Sequence, residues 1–455
     1  MSRDFQYRPT DSLKAGEYMV TFAIRKEEKA FEARTPLVPE HLGKLIIDEG
    51  IDFIVEPSNQ RAFNDKEYED VGATLSSVKG SNASVVLGLK EMPNSVFEPR
   101  KVYVFFSHTI KGQEHNMPML RQIMNTGATL LDYELIVNDE GSRLVYFGNW
   151  AGMAGISDTL RLLGRRLEYE QIDPNPFLGL KPTLDCNGLK GLRNEFKKLG
   201  RRINELGLPQ STLPFVVGFA GYGNVSSGAQ KLFDILPHKT VNPEDLGNLE
   251  PLEDTLYKCV FKEEHMFRPL DKSADFDLQD YYKKGSKAYQ ARFHRYVPHI
   301  TVLMNCIYWS PKYPRLLTKD FITDHWDESH RTLRIVGDIS CDINGAIEFT
   351  ETSTKPNKPA FTYIVKEDRI LHGVKGEGPV VVAVDNLPAE LPKESSYSFS
   401  QTLLPFIPPL ASADYSSSYA ELQLPRELKD AIIVYKGDLT NEFEYLKEHL
   451  TEEKT

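Results

Sequence analysis

The chain has 455 residues, 40% of them hydrophobic and 26% charged, with a formal net charge of −11. That length allows two or three domains with substantial cores. The acidic balance argues against nucleic acid or an anionic membrane surface as a partner.

Residues 1–17 read as a loose polar arm without an apolar targeting segment. From Tyr18 a strand (YMVTFAIR), a helix (PEHLGKLIIDEG, with Gly50 at its C-cap) and a second strand (IDFIVEP) follow. SVVLGLK, KVYVFFSH and TGATLLDYEL are further strands, with the helix NMPMLRQIMNTG before the last. Alternation of strand and helix implies a mostly parallel sheet covered on both faces. The stretch Gly148 to Glu170 opens with small residues and continues as a long helix, which suggests a crossing between domains. DPNPFLGLKPTLDCNG reads as loop, and LKGLRNEFKKLGRRINELG as a helix. A second βαβ pattern then runs from LPFVVGF through KLFDILP, HKTVNPEDL, TVLMNCIYW, LRIVGDIS and GPVVVAVDN. Residues 246–300 carry more charge and aromatics and read as an elaboration on the second sheet. From about Pro392 the chain reads as helical, through SYSFSQTLLPFIPPL, PRELKDAIIVYKG and NEFEYLKEHL. Residues 451–455 are too polar for expected order.

The expected fold is α/β, with two Rossmann-like domains whose mostly parallel sheets are separated by an active-site cleft. Residues 1–148 plus 391–455 would form a discontinuous substrate domain, and 149–390 the dinucleotide-binding domain. No apolar run approaches the ~20 residues of a membrane span. Cys186, Cys259, Cys306 and Cys341 are too dispersed for a zinc or disulfide framework. A cytoplasmic protein with free thiols is expected.

Two strands end abruptly in ionisable residues: Lys90 and Glu91 after VVLGL, His108 and Lys111 after VFFS. The C-terminal edge of a parallel sheet is where α/β enzymes place their chemistry. Lysine and histidine are readily tuned to exchange protons near neutral pH. By themselves these residues are equally those of a solvated Lys–Glu pair and a hydrogen-bonded core histidine.

The segment FVVGFAGYGNVSSGAQKLFDIL places Gly218, Gly221, Tyr222, Gly223, Asn224, Val225 and Ser226 between an apolar strand and a helix. Gly221-x-Gly223-x-x-Ser226 is a dinucleotide fingerprint with serine in place of the third glycine. Its glycines allow pyrophosphate to approach the helix N-terminus. Asn305 and Ile307 follow the strand TVLM and would run beside the cofactor, with Met304, Cys306 and Trp309 packing. The strand HKTV ends in Asn242-Pro243-Glu244-Asp245, without an acid at its last position. That favours NADP(H) over NAD(H), although no arginine clamp is evident. Asp338 and Asp342 lack further ligands at metal spacing, so no metal is expected. His325, His330 and His372 are expected at the surface.

The strings FEARTPLVPEHLGKL, GLKEMP, FFSHTIKGQ, LLDYEL, FGNWAG, GYGNVSSGAQ, MNCIYW and DNLPAELP, in that order, resemble the lysine–ketoglutarate reductase family. The lysine-forming saccharopine dehydrogenases are similar, and alanine dehydrogenase and the transhydrogenase domain more distantly so. The resemblance implies an oxidoreductase of lysine metabolism that condenses L-lysine with 2-oxoglutarate and reduces the product to saccharopine, or runs the reverse. It implies a stand-alone reductase, with these small molecules as partners and homo-oligomerisation left open. In the family's pattern Lys90 acts on the amine, and His108 on carbinolamine formation and loss of water. Glu91 and Glu134 would hold or tune the Lys90 ammonium. Arg34 would anchor a substrate carboxylate, since guanidinium binds carboxylate bidentately. Arg143 matches a second family arginine, and Asp385 an aspartate facing the cleft. Lys111 and Gln113 would line the same rim. The stretch 246–300 matches the reductase branch and adds to the NADP(H) expectation. The rival readings are an alanine-dehydrogenase-like amino-acid dehydrogenase and a non-catalytic nucleotide-binding regulator.

Overall fold

A computed structural model of the protein describes residues 20–326 and 332–450. The expected N-terminal arm, the start of the first strand at Tyr18, His330 and residues 451–455 lie outside them. The chain divides into two units, one made of the residues up to Phe147 and those from Pro392, the other Gly148–Leu391.

The first unit is built on an eight-stranded sheet. Its parallel strands lie in the order Thr74–Leu75, Phe53–Val55, Phe22–Ile24, Val85–Leu87, Val102–Phe105, Thr129–Asp132. The five longer of these are buried along their whole length, as expected of parallel strands covered on both faces. The helix Pro39–Glu49 starts on a proline and ends on Gly50 at φ 65, whose N–H returns to the carbonyls of Leu45 and Ile46. Chain progression reverses between Phe22–Ile24 and Val85–Leu87, so connections leave these neighbours towards opposite sides. Such a switch point opens a crevice at the carboxyl ends of the strands.

One C-terminal expectation needs correction. IIVY is the strand Ile432–Tyr435, antiparallel to Thr129–Asp132, and the helix before it is confined to Arg426–Lys429. Ile432, Ile433 and Val434 are β-branched and all buried, a combination that favours an extended backbone between two covered faces. Asn441–His449 is a 3₁₀ helix.

The second unit also carries an eight-stranded sheet. His238–Val241, Leu256–Phe261, Val216–Ala220, Val302–Asn305, Ile335–Asp338 and Val380–Val382 are parallel in that spatial order. The hairpin Ala360–Ile364 and Arg369–His372 adds two antiparallel strands. Residues 246–300 are therefore more than an elaboration, because Leu256–Phe261 is a core strand beside the glycine-bearing one. Lys258, one of the charges of this stretch, is buried in the strand, and its Nζ donates to Asp234 Oδ1 at 2.6 Å. The rest of the segment holds the ribbon Phe267–Pro269 with Tyr289–Ala291 and a cluster of Phe267, Tyr281 and Tyr289.

The long helix Gly148–Tyr169 lies against the helix Asn224–Phe233 at van der Waals limits. A Cβ on Gly152 would stand 1.9 Å from the Val225 carbonyl oxygen, and one on Gly228 would stand 2.0 Å from that of Asn149.

Candidate active site

The switch point of the first sheet gathers the ionisable strand ends. Lys90 and Glu91 follow Val85–Leu87, and His108 follows Val102–Phe105. All three side chains are half-buried. His108 Nδ1 lies 2.5 Å from Glu91 Oε1. Burial alone would raise the Glu91 carboxyl, but the hydrogen bond and charge of His108 outweigh it and hold the pKa at about 2. An ionised Glu91 accepts, so Nδ1 carries the proton and Nε2 is left as the basic ring nitrogen. His108 is held in the left-handed region at φ 50, with Asn116 Nδ2 donating to its carbonyl at 3.0 Å. A non-glycine residue in that region costs conformational energy, a pattern that concentrates at functional sites.

The Lys90 pKa is lowered by burial first and then by the Arg34 and Lys29 charges, while Glu32 and Glu91 act in the opposite sense. A depressed lysine spends more time as the free amine, the form able to accept a proton. Arg34 is nearly fully buried, with its guanidinium 4.1 Å over the Phe147 ring. Its Nε and Nη2 donate to the two oxygens of buried Glu32 at 2.7 and 2.6 Å. The expected carboxylate anchor thus already binds one carboxylate of the chain itself.

Glu134 is ion-paired with Arg143. The acids that act on the Lys90 amine are Glu32 and Glu91. Lys111 is exposed, and Gln113 is half-buried with an Oε1 that lacks a partner among the described residues. Two carboxylates that sequence reasoning did not single out brace these strand ends. Asp132 accepts the Ser107 N–H and hydroxyl through Oδ2, at 2.8 and 2.5 Å, and the Glu134 N–H through Oδ1 at 2.8 Å. Glu27 accepts the N–H groups of Leu89 and Lys90. Asp132 lies inside the motif string LLDYEL and Glu27 just ahead of FEART, but most of their partners are backbone groups that a sequence does not display.

In the second unit the turn after Val216–Ala220 has the shape of a nucleotide site. Gly221 sits at φ 92, and a Cβ there would come 3.1 Å from Ile307 Cγ2. Its N–H bonds the Phe261 carbonyl at 2.9 Å. Gly218 serves packing, since a Cβ would meet the Phe261 ring at 2.9 Å. Around Gly223 nothing lies within 4 Å of a would-be Cβ. Gly223 is the N-cap of the helix Asn224–Phe233 and supplies no side-chain cap, so the first-turn N–H groups, including those of Val225 and Ser226, face a space open to a phosphate. Tyr222 and Asn224 are exposed beside it. Ser226 is buried, with its hydroxyl oxygen accepting from Gln230 at 2.9 Å.

Asn305 ends the neighbouring strand across the switch point of this sheet. Its Nδ2 donates to Asp338 Oδ1 at 2.8 Å, and its buried Oδ1 has no partner among the described residues. Ile307 accepts from Ser340 through its carbonyl. Burial lifts Asp338 to about 6 against hydrogen bonds from Thr350 and Asn305; it is a structural acid with its oxygens engaged. Among the described residues no group of three or more potential ligands could hold a metal, and no helix is long and apolar enough to cross a membrane. An orphaned amide oxygen, an open glycine and an uncapped helix start fit a dinucleotide.

The strand beside the fingerprint strand is Leu256–Phe261, not His238–Val241. The residues that follow it are Lys262, Glu263 and Glu264, which displaces the cofactor argument from Asn242. Lys262 is exposed, and Glu263 accepts from the Tyr282 hydroxyl at 2.8 Å. Asp385 is exposed beyond Val380–Val382. Met304 and Cys306 are buried, and Trp309 donates to the Pro314 carbonyl at 3.2 Å. His325 stacks on Phe321 at 4.5 Å, and His372 is exposed on its strand.

Residues 23–154 match the N-terminal domain model of the alanine dehydrogenase/PNT family, and residues 287–442 its C-terminal domain model. The chain is 37% identical over 440 residues to the alpha-aminoadipic semialdehyde synthase of Arabidopsis thaliana, covering 91% of this chain and 40% of that protein. The mitochondrial alpha-aminoadipic semialdehyde synthase of Bos taurus is 33% identical over 466 residues, covering 98% and 50%. The NAD(+), L-lysine-forming saccharopine dehydrogenase of Emericella nidulans is 28% identical over 390 residues, covering 84% and 90%. The chain thus spans half or less of the two semialdehyde synthases. Among solved structures, L-alanine dehydrogenase superposes with a TM-score of 0.59 at 18% identity, covering 94% of this chain and 100% of that one. With the two domain models matched in order along it, the chain belongs to the alanine dehydrogenase/PNT family.

Proposed function

We propose that the chain is a lysine–2-oxoglutarate reductase, joining the ε-amine of L-lysine to 2-oxoglutarate and reducing the product to saccharopine, or catalysing the reverse. The observation that carries this reading is the strand-end group of the first sheet, a depressed lysine beside a histidine oriented by an ionised glutamate. The names of the relatives, alpha-aminoadipic semialdehyde synthase and L-lysine-forming saccharopine dehydrogenase, support it.

The chemistry asks for a base that frees the substrate amine, an acid–base group at the carbinolamine hydroxyl, and cations for carboxylates. Lys90 as free amine takes the proton from the lysine ε-ammonium. The ε-nitrogen then adds to the keto carbon, and His108 Nε2 takes a proton from that nitrogen and delivers it to the keto-derived oxygen, first to form the carbinolamine hydroxyl and again as that hydroxyl leaves as water. Glu91 holds the His108 ring in that tautomer throughout. Lys111 supplies exposed positive charge for the carboxylates of the keto acid and the amino acid, and Arg34 and Arg143 add theirs on exchanging Glu32 and Glu134 for substrate. Gly221, Gly223 and the first-turn N–H groups of Asn224–Phe233 would hold the pyrophosphate of a reduced nicotinamide dinucleotide, which would supply the hydride that turns the protonated imine into the secondary amine of saccharopine.

The cofactor is NADPH on this reading. Lys262 extends from the end of the strand beside the fingerprint, where a cation meets a ribose 2′-phosphate. Glu263, the acid that would suit an unphosphorylated ribose, is engaged by Tyr282.

The test is a spectrophotometric assay with lysine and 2-oxoglutarate, run separately with NADPH and NADH. Oxidation that requires both lysine and 2-oxoglutarate is the expected result. Turnover with pyruvate and ammonia would shift the assignment to an amino-acid dehydrogenase. Nucleotide binding without turnover on any keto acid would leave a regulator.

A further inference from the structure

At the switch point of the first sheet, Phe22–Ile24 and Val85–Leu87 are paired in register up to Ile24 and Leu87. The last main-chain rung between them is the Arg25 N–H to the Leu87 carbonyl at 2.9 Å. Beyond it the two chains part, and the N–H groups of Leu89 and Lys90 would face the gap. Glu27 closes it with its side chain. Oε1 accepts from the Leu89 N–H at 2.7 Å and Oε2 from the Lys90 N–H at 3.1 Å. The carboxylate thus takes the place of two missing sheet carbonyls. Gly88 lies against this carboxylate, where a Cβ would stand 3.5 Å from Glu27 Oε1 and would displace the Met92 methyl at 2.5 Å.

A carboxylate is not an obvious choice for this place. Burial, with Glu32 adding to it, raises the Glu27 pKa to about 7, while the two N–H bonds and Arg25 pull it down. A group that resists ionisation is held where its two oxygens meet two convergent donors, immediately at the residue whose amine does the chemistry.

We infer that Glu27 is a positioning residue which fixes the Lys90 backbone, and through it the place of the Lys90 amine at the sheet edge. This rests on the reading of Lys90 as the proton-transfer group. Glu27 touches neither substrate nor cofactor in this role. Glu27→Gln keeps the size of the side chain but presents one acceptor and one NH₂, so one of the two N–H groups loses its partner.

The experiment compares the full-length wild type, E27Q, E27D and K90M. Each is measured for kcat and KM with lysine, 2-oxoglutarate and NADPH, for NADPH binding by fluorescence, and for urea unfolding. Lys90 is also titrated directly, by acetic anhydride labelling across pH with peptide mass spectrometry. E27Q is expected to keep nucleotide affinity, lower kcat by about 100-fold, as small misplacements of reacting groups do, and move the pH midpoint of Lys90 labelling. Wild-type kcat and labelling in E27Q would overturn the inference. If E27Q fails to fold, E27D decides, since it keeps the charge but withdraws the oxygens: wild-type kcat and labelling there overturn the inference equally. K90M separates the two readings. Full turnover in K90M defeats the assignment of Lys90 itself, whereas loss in K90M with unaltered E27Q defeats only the role of Glu27.

Discussion

His108 Nδ1 and Glu91 Oε1 lie 2.5 Å apart across two strand ends, and this bond decides which ring nitrogen is left free to exchange protons. Because Glu91 stays ionised down to about pH 2, it accepts and Nδ1 must donate. Glu91→Gln reverses the choice, since an amide can offer N–H to Nδ1 and leave Nε2 protonated. A wrong tautomer at an otherwise intact site costs a large factor, up to ~10⁴ in the serine protease triad. For E91Q the expectation is a fall in kcat of about 100-fold or more, with nucleotide affinity unchanged. Steady-state kinetics and an NADPH titration check both halves.

Lys90 makes a sharper prediction about pH. Burial and Arg34 lower its pKa, so the rise of kcat/KM for lysine with pH should begin below the ordinary lysine range. In K90M that limb should vanish together with turnover, while NADPH binding persists. A K90M protein with wild-type turnover would remove Lys90 from the chemistry.

These two residues were legible because lysine and histidine ending apolar strands stand out in a sequence. Glu27 and Asp132 were not, because they hold backbone N–H groups and, for Asp132, the Ser107 hydroxyl; the partners of Glu27 lie 62 and 63 residues away. The strand Leu256–Phe261 was hidden among the charges of its stretch, of which Lys258 is cancelled by an ion pair to Asp234 that no local pattern reveals. IIVY was absorbed into the helical run before it, since four residues are too few for a period and its partner strand lies 300 residues earlier. The fingerprint glycines were found together, but their separate duties emerged only from what surrounds each.

Those duties can be told apart by alanine. Gly228→Ala drives a Cβ into the Asn149 carbonyl oxygen at 2.0 Å, forcing the two helices apart at a cost of about 1–3 kcal/mol or more. Gly223→Ala meets nothing within 4 Å, so its stability should stay within about 0.5 kcal/mol of wild type. NADPH affinity should nevertheless fall at least tenfold in G223A, because the methyl group occupies the space open to pyrophosphate. Urea unfolding without ligand and fluorescence titration with it give the two readouts. Equal loss of stability in both variants would mean that Gly223 serves the fold.

The cofactor preference should follow Lys262. If its ammonium meets the 2′-phosphate, Lys262→Ala weakens NADPH and leaves NADH nearly unchanged, shifting the ratio of their kcat/KM values by about 10-fold or more, the scale of a charge-assisted hydrogen bond. An unchanged ratio would return the choice to other residues.

Asp158 and Glu390 form a buried acid pair within the second unit and allow a test of stability against pH. Burial raises both pKa values, and Asp158 raises Glu390 further, while Arg161 and Thr183 oppose. The sign follows from proton counting. Between the unfolded and the raised folded values the native state holds more protons, so stability falls as pH rises through that window. Asp158→Asn removes one of the two charges and keeps an acceptor for Thr183, whose hydroxyl lies 3.4 Å from Asp158 Oδ1. Its stability should therefore decline less steeply than wild type as pH rises above the ordinary carboxylate range, and the urea midpoints of the two proteins should diverge in favour of D158N along that rise. Parallel midpoint curves would mean that the pair does not hold a shared proton in the folded protein.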